Sequence, residues 1–205
     1  MEVFSFRTID GPSEGNYKEL GSKFLAFAYP VGSEDDVKIK IEGLKKKYFD
    51  ARHHCFAWIL GEDKSRYRAF DDGEPNHCSG DPIVGQIKSK NITNVLVVVV
   101  RYFGGVKLGV GGLIQAYKTA AEDALNNATI IEQAVTHSVM LHYPYESTTD
   151  VMRLVKDFEL IIIRQEFLEE CVLQAEVKRR FFDSFKYKVE LLKATGHKIS
   201  FSAVE

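Results

Sequence analysis

VLVVVVRYFGGVKLGVGGLIQAY, Val95 to Tyr117, joins an unbroken apolar run to a segment with five glycines in the seventeen residues from Arg101 onward. A run without alternation reads as a strand buried on both faces. From Gly112, the residues Leu113, Ala116, Tyr117, Ala120, Ala121, Ala124 and Leu125 fall on one stripe of an amphipathic helix that ends near Asn127. The local order is strand, glycine loop, helix. Glycine loses the most backbone freedom on folding, so such a concentration calls for a reason.

Spacing removes two reasons. Gly104 and Gly109 stand where the outer glycines of a Walker A loop would, but Val110 and Gly111 replace its lysine and hydroxyl residue. Gly109, Gly111 and Gly112 do not have the GxGxxG spacing of a dinucleotide-binding turn either. Two readings stay open. The loop brings backbone N–H groups and a helix N-terminus toward an anion, or its glycines serve positive backbone angles and close packing with no ligand.

Working outward, KFLAFAYP (Lys23 to Pro30) reads as a strand, and Ser33 with Asp36 marks the start of a helix running to about Tyr48. Its face of Val37, Ile41, Leu44 and Tyr48 packs, and Lys38, Lys45 and Lys46 lie largely off it. Cys55 to Leu60 and Arg66 to Phe70 form a hairpin around GEDKS, DDGEP interrupts regular structure, and a short helix covers Asp81 to Lys88. Past about Gln133 the order becomes strand, helix, strand, strand, helix, strand, the split βαβ pattern of about 70 residues. A boundary between Gln133 and Thr136 gives units 1–133 and 134–205.

The 205 residues, 45% apolar and 27% charged, have ordinary globular composition. No run approaches the roughly 20 apolar residues of a membrane helix, and the first fifteen residues lack the pattern of a secretory leader. Three cysteines without CxxC spacing argue against a disulfide framework, so a reducing cytoplasm is the expected compartment. A net charge of -2 gives no global attraction for nucleic acid, which leaves attraction to a local basic face.

His53 and Cys55 share one face of their strand, and Asp71, Asp72, His77 or Cys78 from nearby loops would complete a metal-ligand set. No pair has a recognised zinc spacing, so a polar strand end is preferred and no metal is assigned. Asp71, Asp72 and Glu74 around Gly73 suit a turn. Arg101, at the end of a buried strand, needs an acidic partner, and DDGE is the expected source. In the tail, Lys178, Arg179 and Arg180 form a basic cluster at a strand-to-helix junction. The tail has no overall basic excess and lacks the aromatic signature of an RNA-recognition motif. Phe181, Phe182, Phe185 and Leu192 read as packing.

Three stretches together, DARHHCFAWILG, FDDGEPNHCSGDP and VVVVRYFGGVKLGVGGLIQAY, closely resemble the bacterial YigZ proteins and the N-terminal domain of the family that includes eukaryotic IMPACT. The motifs cover roughly Gly21 to Leu125, Ser22 and Phe24 fit that family's opening Ser-x-Phe, and the tail resembles the second domain of bacterial members. Two departures stand out. Asn76 to Gly80 replace a frequent Ser-Gly-Thr-Ala-Gly, and Val110 replaces a frequent threonine; both remove small or hydroxylic residues from places where donors would meet an anion.

The resemblance implies an α+β chain of two domains. The first is similar to domain 2 of ribosomal protein S5, a fold shared with domain IV of elongation factor G, and the second is a ferredoxin-like βαββαβ domain resembling that factor's last. It implies a translation-related regulator contacting RNA, the ribosome or a protein partner. In eukaryotes the IMPACT branch restrains an amino-acid-starvation kinase by competing for its activator. No catalytic residue and no cofactor are assigned. The candidate anion or nucleic-acid contacts are Arg101, Gly104, Gly105, Lys107, Gly109, Gly111, Gly112, Lys178, Arg179 and Arg180. Candidate loop supports are His53, His54, Asp71, Asp72 and Glu74. The competing class is a small-ligand or phosphate-binding protein or enzyme using the loop at residues 104–112.

Overall fold

A computed structural model of the chain describes residues 2–168 and 170–204, a mixed α/β structure of three sheets and five α-helices among those residues. It divides into two compact units. One is Phe6–Gln133; the other is Ala134 onward together with the residues up to Ser5.

The first unit is built on a five-stranded sheet. Its strands are β2 (Ser13–Glu19), β3 (Ser22–Pro30), β4 (His53–Leu60), β5 (Arg66–Phe70) and β6 (Val95–Tyr102), in the order β2-β3-β6-β4-β5 with every neighbour antiparallel. β6 is central and buried on both faces, as its unbroken apolar run requires. Val95, Val97 and Val99, with Cys55, Ala57 and Ile59 of β4, face α2 (Gly80–Ser89) and α3 (Gly109–Asn126). Leu96, Val98 and Val100, with Phe56, Trp58 and Leu60, face Val37 and Leu44 of α1 (Glu34–Lys47). Strand alternation therefore splits one sheet into two cores.

Local signals fix the helix ends. Ser33 Oγ accepts from the Asp36 N–H at 3.1 Å while Asp36 Oδ2 accepts from the Ser33 N–H at 3.1 Å, the capping box expected from Ser33 and Asp36. α3 begins at Gly109, a turn earlier than its apolar stripe indicates, which places Gly111 and Gly112 inside the helix rather than in the loop. Three strands have no counterpart in the sequence reading: β1 (Ser5–Ile9), its partner β7 (Ile130–Ala134), and β2. β2 is a polar edge strand, and Gly15 within it brings the backbone against α3, where a Cβ would lie 2.2 Å from the Ala124 nitrogen.

The second unit contains β8 (Thr136–Tyr143), α4 (Thr148–Asp157), β9 (Ile161–Phe167), β10 (Cys171–Lys178), α5 (Arg179–Ala194) and β11 (Ser200–Val204). The sheet order is β11-β8-β10-β9, antiparallel throughout, so each of the two helices connects strands that flank a third. Val139, Leu141, Tyr143, Leu173, Ala175 and Val177 bury one sheet face against Phe185 and Val189 of α5 and Val151 and Leu154 of α4. Phe181, Phe182 and Leu192 pack partly buried around that core.

Candidate functional site

The turn after β5 is stitched onto the first residues of β4. His53 Nδ1 lies 2.8 Å from the Asp72 carbonyl, and the His54 N–H donates to Asp72 Oδ2 at 2.7 Å. A carbonyl only accepts, so Nδ1 of His53 holds the proton and Nε2 is left to point elsewhere. Cys55 Sγ lies 3.1 Å from the Asp71 carbonyl and 3.3 Å from the Tyr117 hydroxyl. Burial pushes the Cys55 thiol up to about 12, so it stays a protonated donor and not a nucleophile. Asp72 and Gly73 adopt left-handed backbone, φ 44° and 83°, which aspartate and glycine tolerate in a tight turn.

Asp71 caps α2 from a distance. Its Oδ1 accepts from Ser79 Oγ at 2.6 Å and from the N–H groups of Gly80 and Ser79 at 2.9 and 3.0 Å, and its Oδ2 from the His77 N–H at 3.0 Å. Partial burial works to raise the Asp71 pKa, but these donors together hold it below the usual carboxylate value.

Glu74 is the centre of the arrangement. Its Oε1 accepts from Arg101 Nη1 at 2.5 Å and from the Tyr117 hydroxyl at 2.7 Å, with His53 Nε2 at 3.8 Å. Arg101 and Glu74 are only 5% and 8% exposed, so the pair is a buried one. DDGE thus supplies the acid that Arg101 needs. Arg101 Nε finds no hydrogen-bond partner among the described residues. The Tyr117 pKa is driven up, first by burial and then by Cys55 and Glu74, which keeps the hydroxyl a donor.

Above this network lies a cleft of about 540 Å³ lined by Arg52, His53, Gly73, Glu74, Pro75, Arg101, Phe103, Lys107, Leu108, Gly109, Val110 and Leu113. The N-terminus of α3 forms part of its wall. That helix has no side-chain N-cap and no acidic residue in its first turn, so its first N–H groups and dipole stay uncompensated by side chains. The Phe103 ring centroid is 5.7 Å from the Arg101 guanidinium and 6.0 Å from that of Arg52.

The candidates named from sequence separate into groups. Arg101, Lys107, Gly109, His53 and Glu74 line the cleft, and Asp71, Asp72 and His54 hold the turn beneath Glu74. Gly104 serves packing: a Cβ there would sit 2.0 Å from the Gly21 carbonyl carbon, and its N–H is taken by Ser22 Oγ at 3.1 Å. Gly105 and Gly109 have positive φ, 90° and 72°, and Gly111 lies in the first turn of α3 with open space around it. Gly112 also lies in that turn, with a Cβ position 3.0 Å from the Leu108 Cβ.

The tail cluster belongs to the second unit and is engaged there. Lys178 and Arg180 both meet Glu159, at 2.5 and 3.5 Å, and Arg179 bonds the Val3 carbonyl at 3.1 Å. Sequence reasoning missed Arg52, Phe103 and the hydroxyl of Tyr117. Tyr117 reads as one more position of an apolar stripe, and the sequence reading gives Arg52 and Phe103 no role. Among the described residues no group of three or more His, Cys, Asp or Glu side chains is arranged to hold a metal ion, and no helix is long and apolar enough to cross a membrane.

Residues 20–125 match the family model of the Impact N-terminal domain. The chain is 27% identical over 183 residues to the IMPACT family member YvyE of Bacillus subtilis, covering 89% of this chain and 84% of that protein. It is 30% identical over 148 residues to the IMPACT family member YigZ of Escherichia coli, covering 71% and 72%. A crystal structure described as that of an hypothetical protein superposes on 100% of this chain and 99% of its own, with a TM-score of 0.75 and 26% identity.

Proposed function

This chain belongs to the IMPACT family, and from that premise we propose that it acts in translation regulation by binding RNA of the translation machinery through the cleft of the first unit. One observation carries the reading. Arg52, Arg101 and Lys107 line the cleft against a single carboxylate, Glu74, which is buried and committed to Arg101 and Tyr117. With the free N-terminus of α3 in the wall, the cleft is a local anion site on a chain of nearly neutral net charge. Phosphate contacts of this kind supply affinity without reading sequence.

Topology supports the same reading by analogy. We read the first unit as similar to domain 2 of ribosomal protein S5 and the second, by its split βαβ order, as a ferredoxin-like domain resembling the last domain of elongation factor G. The three cysteines are buried and free, which supports a reducing compartment, the cytoplasm. No catalytic step is assigned to the chain.

Filter binding to ribosomes, transfer RNA and duplex RNA across a salt series tests the proposal. The expected result is an affinity that falls steadily as salt rises. Undetectable binding at low salt removes it. The cleft volume favours one further reading, because about 540 Å³ lies within the roughly 300–1,000 Å³ usual for small-ligand sites. A melting temperature raised by inorganic phosphate or a nucleotide, without affinity for any RNA, selects that small-ligand reading.

A further inference from the structure

The cleft, about 540 Å³, is of small-ligand size, and its lining has two characters. Arg52, Arg101 and Lys107 are cationic; Phe103, Val110 and Leu108 are apolar, and Phe103 and Val110 remain 41% and 59% exposed. Resting on the RNA reading above, we infer that the cleft takes one unpaired nucleotide bearing a phosphate monoester, as at a phosphorylated RNA end, with its base against Phe103.

Two independent observations point to the phosphate. The N-terminus of α3, an 18-residue helix with no side-chain cap, opens into the cleft through Gly109 and Val110. The second is Arg101, a cleft-lining guanidinium that is 5% exposed and whose hydrogen bonding among the described residues is met only at Nη1, by Glu74. A guanidinium has five N–H donors in a planar fork suited to phosphate oxygens, so one carboxylate oxygen leaves it under-used. Three cations and a helix N-terminus facing one buried carboxylate match a dianion better than the single charge of a diester, and a monoester exists only at an end of a strand or in a free nucleotide. The aromatic ring at the rim supplies the second contact, since unpaired bases stack on exposed aromatic faces.

The test uses the full chain and one eight-nucleotide single-stranded RNA made with a 5′-phosphate, a 3′-phosphate, or hydroxyls at both ends, with uridine monophosphate as competitor. A phosphorylated end should bind about tenfold or more tighter than the hydroxyl-terminated strand, the return from one charge-assisted hydrogen bond. Phe103→Ala should weaken binding of every strand. Val110→Asp should abolish the preference while keeping the fold, because an acidic residue in the first turn of α3 favours the helix but repels phosphate. Competition by uridine monophosphate at matching concentrations assigns the site to free nucleotides as well as to strand ends. Its absence, with the preference intact, restricts the site to strands. Equal affinity for all three strands, with ribosome binding retained, overturns this inference and leaves the proposed function standing. Loss of all RNA binding while uridine monophosphate still raises the melting temperature overturns the proposed function and keeps the monoester chemistry.

Discussion

At the residue scale the decisive group is Glu74, because it accepts from both Arg101 and Tyr117 through one oxygen. Removing one partner of a buried pair strands the other charge, so Glu74→Ala should cost about 3–5 kcal/mol in urea unfolding. Replacing both, as Glu74→Leu with Arg101→Met, should cost far less and still remove RNA affinity. Asp71 gives a pH test. Its folded pKa lies below its unfolded value of about 3.9, so its contribution is present above that value and is lost as pH falls through the folded pKa. Asp71→Asn should therefore melt lower than the wild type at pH 7, and the gap should close on acidification below about pH 4. That Arg101 pairs with an acid of DDGE was legible from sequence, since a charge ending a buried strand needs an acidic partner, but which of the three carboxylates it meets was not. Tyr117 was not, because periodicity reports which face a residue occupies and not what its hydroxyl meets.

At the scale of elements the glycines divide by what surrounds them. A Cβ at Gly15 or Gly104 would lie 2.2 and 2.0 Å from neighbouring backbone, whereas Gly111 has open space and an ordinary helical position. Gly15→Ala and Gly104→Ala should each lower stability by about 1–3 kcal/mol or more, since backbone must shift to admit the methyl. Gly111→Ala should raise it by roughly 0.5–1 kcal/mol, and paired thermal melts of the three variants check the contrast. The same physics explains where the reading of elements failed. β6, the α1 capping box and the α3 stripe were legible because apolar pattern and cap residues agreed locally. β1 and β7 were not, being short strands that pair with each other from distant parts of the chain, nor was β2, whose polar residues hide a strand that pairs with its neighbour β3. The start of α3 was missed because glycine's low helix propensity argued against it, and packing of the helix on the sheet overrode that preference.

At the scale of the molecule, two units offer two basic groups of different standing. In the first unit Arg52, Arg101 and Lys107 face a cleft; in the second Lys178 and Arg180 already share Glu159. The βαββαβ order of the tail was legible because six patterned segments follow one another in sequence, while the convergence of Arg52, His53, Glu74 and Lys107 was not, since only the folded sheet brings those segments together. The salt dependence of ribosomal RNA binding, compared between the wild type, Arg52→Ala with Lys107→Ala, and Lys178→Ala with Arg180→Ala, tests the central claim most directly. The cleft account predicts that the first double variant loses affinity and that its log–log salt slope falls by about 1.5–2, with the tail variant unchanged. An unchanged slope in the cleft variant, with the loss appearing in the tail variant, would contradict it.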